Sequence, residues 1–331
     1  METQETAGPR TEPQERAALR PMDQADPLPF PFNQRAFCRY EPIEKKIDSI
    51  RVLIVDDLLR HEGDLSDVAR REWGRRAESR LKRERKIAPM AVSNIRANVE
   101  RLVREPETRV AHFSEIAAAT EEYRPDAIVL SGTLSDFDYY NPELLAGFRS
   151  FIRGATVPVL GICGGHQLVG LCFGARVLTL DNVEQHEHRE GRPFEYQYRF
   201  VRIVDRGDPI FSGINERDSG TWQDYTVEAG ILRVWQNHGL QLDRVPDDFR
   251  LLATAYFCRN QMMVRRAGGQ LIYTVQFHLE KSFEDWDRRQ ATRWEHPNDS
   301  RDGRIIFENF LFEALKHSAA ADKEPATMVE A

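Results

Sequence analysis

Three short apolar runs, RVAHF, DAIVLSG and VPVLGI, follow one another between Arg109 and Ile162, each separated from the next by a helix-like segment. A strand covered on both faces reads as a nearly continuous apolar run, whereas a half-solvated antiparallel strand alternates. The separators, about 114–123 and ELLAGFRSFIRG at 143–154, carry apolar residues at helical spacing. Strand–helix–strand repeats of this kind specify an α/β chain with a doubly wound, mostly parallel sheet. IRVLIVDD at 50–57 adds an earlier strand of the same type. Beyond about residue 195 the pattern changes. QYRFVRIV, ILRVWQNHG, FRLLATAYF and QLIYTVQFH predict an antiparallel extension, and RIIFENFLFEALKH a closing helix.

The flanks set the expected boundaries. Residues 1–48 are rich in Pro, Glu, Gln and Arg without sustained periodicity and read as a flexible extension, and 318–331 as a disordered tail. Between them, 49–317 is expected to form the folded body, with charged insertions at 58–105 and 281–303. Within the first, RREWGRRAESRLKRERK is dense in Arg and Lys and reads as a solvated helix face, with a docking or anion-binding surface as the alternative. A net charge of −7 argues against general affinity for nucleic acid. No apolar run approaches the ~20 residues of a membrane helix. The charged, proline-containing start does not resemble a signal peptide, so a cytoplasmic location is expected. The four cysteines, Cys38, Cys163, Cys172 and Cys258, form no CxxC and read as reduced thiols.

The functional signal is concentrated at VPVLGICGGHQLVG, 157–170. An apolar strand ends at Ile162, one side chain follows, and Gly164-Gly165 open a helix. Strand–turn–helix geometry displays the intervening residue at a sharp elbow. A helix N-terminus there favours a thiolate and a developing oxyanion. Taken alone, Cys163 is equally a buried structural cysteine. Neither phosphate-cradling glycine pattern can be written onto 161–170, so a nucleotide site is the weaker reading. A cysteine nucleophile needs a base, and the base an orienting partner. His278 and Glu280 in QFHLE supply both, because an extended segment projects i and i+2 to one face. His186 and His188 in QHEHRE lack a third ligand, so no metal is expected, and no cofactor either.

GICGGHQ resembles the G-x-C-x-G-x-Q nucleophile motif of class I (triad) glutamine amidotransferases, and QFHLE resembles their H-P-E motif. VLSG at 129–132 resembles the family's oxyanion loop and WQNHG at 235–239 its glutamine-contacting segment. VWQNHG, then VP, then FRLLATA is most like the small subunit of carbamoyl-phosphate synthetase. The resemblance implies a flavodoxin-like amidotransferase fold and a Cys163–His278–Glu280 triad acting on L-glutamine. It implies Gly132 and Gly164 as oxyanion donors, and Gln167, Asn237 and His238 as substrate contacts. It also implies a synthetase partner on another polypeptide to receive the ammonia. Three departures stand out: Thr133 occupies the second glycine of the usual S-G-G-P loop, Leu279 the proline of H-P-E, and the 58–105 and 281–303 connections are longer and more charged than the family's. Another γ-glutamyl substrate, or a non-catalytic protein that keeps the fold, are the alternatives.

Overall fold

The computed structural model describes residues 44–214, 230–281 and 301–321. Most of the expected N-terminal extension, most of the 281–303 insertion and residues 322–331 lie outside them. The backbone is organised on a nine-stranded sheet whose order is β2-β1-β3-β4-β11-β10-β9-β6-β7. Its parallel half joins β1 (Ile47–Asp56), β2 (Val103–His112), β3 (Ala127–Leu130), β4 (Val159–Ile162) and β11 (Gln270–Val275). The registers pair Val52 with Ala127, Ile128 with Val159, and Val159 with Ile272. β3 and β4 are buried at every position, as their unbroken apolar runs require.

The antiparallel half continues through β10 (Met262–Ala267), β9 (Arg250–Thr254), β6 (Glu195–Ile203) and β7 (Ile231–His238). β5 (Val177–Thr179) and β8 (Leu240–Leu242) form a separate two-stranded ribbon. β7 curls back so that Trp235 bridges His278, just past β11, with the His278 N–H donating to the Trp235 carbonyl at 2.8 Å. This is the mixed α/β sheet with an antiparallel extension read from the sequence.

Alternate residues of β1 divide the core in two. Val52 and Ile54 belong to one cluster and Leu53 and Val55 to the other. The Leu53 face is covered by α1 (Asp67–Trp73), α3 (Ile116–Tyr123), α4 (Pro142–Gly154) and α5 (Gly164–Cys172). The Val52 face is covered by α6 (Arg301–Ala321) and the later part of α2 (Ala77–Leu102). α6 runs beyond residue 318, where the tail was expected to begin, because Ile306, Phe307, Phe310, Leu311 and Ala314 anchor it in the core. No described helix is long and apolar enough to cross a membrane.

α2 presents the charges of the basic segment on a solvated face and buries the opposite one. Leu81, Glu84, Ala88, Val92, Ile95, Val99 and Leu102 recur at helical spacing and are buried, while Lys82, Arg83 and Lys86 face out. Leu81 packs in the cluster on one side of the sheet, Val92 and the residues after it in the cluster on the other. The helix therefore crosses from one layer to the other. Its predecessor α1 is capped by the Ser66 hydroxyl, which accepts from the Ala69 N–H at 3.1 Å, and buries Trp73.

Candidate active site

The carboxyl ends of β3, β4 and β11 converge, the place where open α/β sheets bind ligands. β4 ends at Ile162 and α5 begins at Gly164, leaving Cys163 alone between them with φ 52° and ψ −101°. Such a backbone costs a non-glycine residue about 1–3 kcal/mol and persists only where its surroundings enforce it. Here the Cys163 N–H donates to the Val275 carbonyl at 2.8 Å, and its carbonyl accepts the Gln167 N–H at 3.1 Å, beginning the helix. The side chain is 6% exposed at the positive end of that helix.

His278 and Glu280 meet, although not along a strand. β11 ends at Val275, and the chain turns at 279–280 to bring the Glu280 Oε1 to 2.7 Å from the His278 Nδ1. With the carboxylate as acceptor, Nδ1 carries the hydrogen and Nε2 is left for the substrate side. Nε2 is buried without a conventional hydrogen-bond partner, and the thiol of Cys163 interacts with the imidazole. Burial alone would lower the His278 pKa. Glu280 and then Cys163 outweigh it and hold the imidazole well up, at about 10. The Glu280 carboxyl is correspondingly lowered, its burial outweighed by His278. The arrangement favours a protonated imidazole beside Cys163.

The loop after β3 closes the site. A Cβ on Gly132 would stand 3.3 Å from the His278 Cε1 and 3.6 Å from the Cys163 Cβ, so this glycine lies against both side chains. A Cβ on Gly164 would overlap the amide nitrogen and hydroxyl of Thr133, so the glycine permits close approach of the loop to the helix N-terminus. Ser131 fixes the start of this loop: its Oγ accepts from the Asp57 N–H at 3.0 Å, and its carbonyl from the Gly165 N–H at 2.9 Å.

The remaining sequence candidates divide. The Gln167 amide is buried and donates to the Leu240 carbonyl at 2.9 Å and to the Gln276 Oε1 at 3.0 Å. Gln276 in turn directs its own amide at the Cys163 Sγ, 3.7 Å away. Sequence reasoning missed Gln276; its only signal was its place two residues before His278. His238 is buried, with Nδ1 2.9 Å from the Leu240 carbonyl; its Nε2 lies 3.1 Å from the Glu195 Oε2 without forming a hydrogen bond to it. Asn237, between buried Gln236 and His238, is exposed on the opposite face of β7. Among the described residues no group of three His, Cys, Asp or Glu side chains is placed to hold a metal. His188 instead lies 2.8 Å from the Asp181 Oδ2.

The profile of the family described as glutamine amidotransferase class I matches residues 91–293. The chain belongs to the class I glutamine amidotransferase family. The glutamine-hydrolysing GMP synthase subunit of Methanothermobacter thermautotrophicus is 28% identical over 186 residues, 56% of this amidotransferase and 73% of the relative. The corresponding Pyrococcus furiosus protein is 31% identical over 158 residues, covering 47% and 67% of the two chains. The longer GMP synthase of Cupriavidus pinatubonensis is 32% identical over 173 residues, 52% of this chain but only 28% of its own. A solved structure from Thermoplasma acidophilum, provisionally described as belonging to a GMP synthase, aligns with a TM-score of 0.51 at 22% identity. That alignment covers 83% of this chain and 98% of the other, and supports the flavodoxin-like amidotransferase fold. These sequence relatives are GMP synthases, so the likeness of VWQNHG to the carbamoyl-phosphate synthetase small subunit stays one of motif.

Proposed function

We propose that this amidotransferase hydrolyses L-glutamine to glutamate and ammonia through a thioester on Cys163, and passes the ammonia to a synthetase partner in trans. The observation that carries the reading is an elbow cysteine interacting with an imidazole whose far nitrogen is held by a carboxylate at 2.7 Å. The Cys163 thiolate attacks the side-chain carboxamide carbon, and the oxygen gains the negative charge. The backbone N–H groups of Gly132 and Gly164 receive that oxyanion, each donor worth about 3 kcal/mol where such groups have been removed. His278 Nε2–H protonates the departing nitrogen, the C–N bond breaks, and ammonia leaves a γ-glutamyl thioester. The neutral imidazole then takes a proton from water as its oxygen adds to the thioester. Cleavage of the C–S bond releases glutamate and restores the ion pair.

Gln167 acts beside the nucleophile through Gln276, while Asn237 and His238 contribute main-chain contacts, the His238 Nδ1 already meeting the Leu240 carbonyl. The partner assignment draws on the two archaeal GMP synthase relatives, and the carbamoyl-phosphate synthetase motif makes that synthetase class the second candidate. A cytoplasmic location fits such a role. Thr133, in contact with Gly164, favours testing a second substrate class, other γ-glutamyl amides, on the same triad. Ammonia release from glutamine and from γ-glutamyl amines, with Cys163→Ala as control, tests the reading, alongside labelling by 6-diazo-5-oxo-L-norleucine. Glutamine turnover and a single adduct at Cys163 are expected. Turnover of the amines alone would replace the substrate, and turnover that survives Cys163→Ala would refute the mechanism.

A further inference from the structure

Helix α2 meets the proposed site twice. Near its start Glu84, 1% exposed, accepts the Ser135 hydroxyl at 2.5 Å. Fourteen residues on (98 − 84), Asn98 is also buried and donates its amide to the Glu280 carbonyl at 2.8 Å and to the Asn94 carbonyl at 2.9 Å. That separation is close to four turns of a helix that carries Pro89 between them, and both side chains leave its buried face. Ser135 ends the loop that carries Gly132 and Thr133. Glu280 is the acid that holds His278. One continuous helix therefore touches the oxyanion side and the acid side of the same centre.

We propose that α2 is the brace of the active site, with Glu84 positioning the loop 132–135 over Gly164 and Asn98 positioning the backbone of Glu280. The proposal rests on the glutaminase reading of the site. The loop between its anchors is short, held at one end by Ser131 and at the other by Ser135. With Thr133 at a position where family members carry a glycine, the loop has less freedom to find its own geometry. Apart from Asn94, which is also buried, the inward face of α2 around these groups is apolar, with Leu81, Ala88, Val92, Ile95 and Val99. Packing alone would favour apolar residues at 84 and 98 as well. Polar side chains that break the local pattern of a buried face are expected where function uses them.

The test compares Glu84→Ala, Glu84→Gln, Ser135→Ala and Asn98→Ala in the full chain. Three quantities are read: glutamine hydrolysis, Cys163 alkylation by iodoacetamide, and amide hydrogen exchange across 131–137. Alkylation needs the thiolate–imidazolium pair but no oxyanion, so it separates the two ends of the brace. Glu84→Ala and Ser135→Ala are expected to lower kcat/KM at least tenfold, speed exchange in the loop, and leave alkylation within about twofold. Their double variant should be no worse than either single one, because both break one contact. Glu84→Gln, which keeps an acceptor for Ser135, should stay within about threefold of the parent. Asn98→Ala should slow alkylation and shift its pH profile without changing loop exchange. Parental exchange and hydrolysis in Ser135→Ala would overturn the proposal even if Glu84→Ala fails to fold. Should the parent be alkylated yet release no ammonia from glutamine, the substrate assignment falls, while loop exchange still decides the brace.

Discussion

Glu84 should cost this protein stability, and the cost should depend on pH. Burial, the largest influence, pushes its carboxyl up from 4.5 to about 7; the Ser135 hydroxyl and the Leu59 N–H oppose the rise, Asp56 adds to it and Arg83 opposes it. Between 4.5 and 7 the folded chain keeps a proton that the unfolded chain has released. This contribution to stability is therefore fully present below 4.5 and is lost as pH rises through about 7. At about 1.4 kcal/mol for each tenfold change in proton affinity, the full loss is about 3 kcal/mol. Between pH 5.5 and pH 8 it is about 2 kcal/mol. Glu84→Gln keeps the size and the acceptor but cannot ionise. Its added N–H meets the place of Oε2, which has no hydrogen-bond partner, and so imposes a penalty that is the same at every pH. Urea unfolding of parent and variant at both pH values isolates the ionisation. The stability of the variant relative to the parent should improve by about 2 kcal/mol at the higher pH. A difference that stays constant across that range would refute the assignment of Glu84 as a buried, late-ionising group.

Four further outcomes follow from the same geometry. Cys163→Gly should abolish ammonia release yet raise stability in urea by about 1 kcal/mol, because glycine tolerates the φ of 52°. Gln167→Ala removes the donor to Leu240 and Gln276, and should cost about 1–3 kcal/mol in the same assay. Glu280→Gln withdraws the charge that holds the His278 pKa up, so the alkaline limb of Cys163 alkylation should move to lower pH. Trp73→Ala should destabilise the chain by about 3–5 kcal/mol, since α1 belongs to the core rather than decorating it.

The parallel half of the sheet was legible because burial on both faces leaves an unmistakable apolar run, and the elbow because Cys163 falls where such a run ends in glycines. The His278–Glu280 pair was legible as a pair, but the period-two argument gave the wrong reason. The chain has left the strand by then, and a turn makes the contact. α2 was hidden for a different cause. Its exposed face carries so much charge, and its buried face includes Glu84 and Asn98, that the apolar periodicity is diluted. A polar residue can occupy a core position once a partner distant in sequence satisfies it. Ser135 and Glu280 lie 51 and 182 residues away from those two side chains, beyond any local pattern.

The closure of the antiparallel arm explains why the centre sits where it does. A histidine one turn beyond a strand end would ordinarily be free to swing, because loop backbone carries few fixed partners. Here the Trp235 carbonyl takes the His278 N–H, tying the residue to β7, while Glu280 is tied through its carbonyl to α2. His278 and Glu280 are thus anchored through their main-chain groups to two elements far apart in the sequence. Neither anchor uses the imidazole or the carboxylate. Cys163, His278 and Glu280 can then remain close together, since the strain at Cys163 and the desolvation of Glu280 are borne by the surrounding fold. The WQNHG segment has a role that does not depend on its side chains touching substrate: it supplies the edge on which the His278 imidazole is hung.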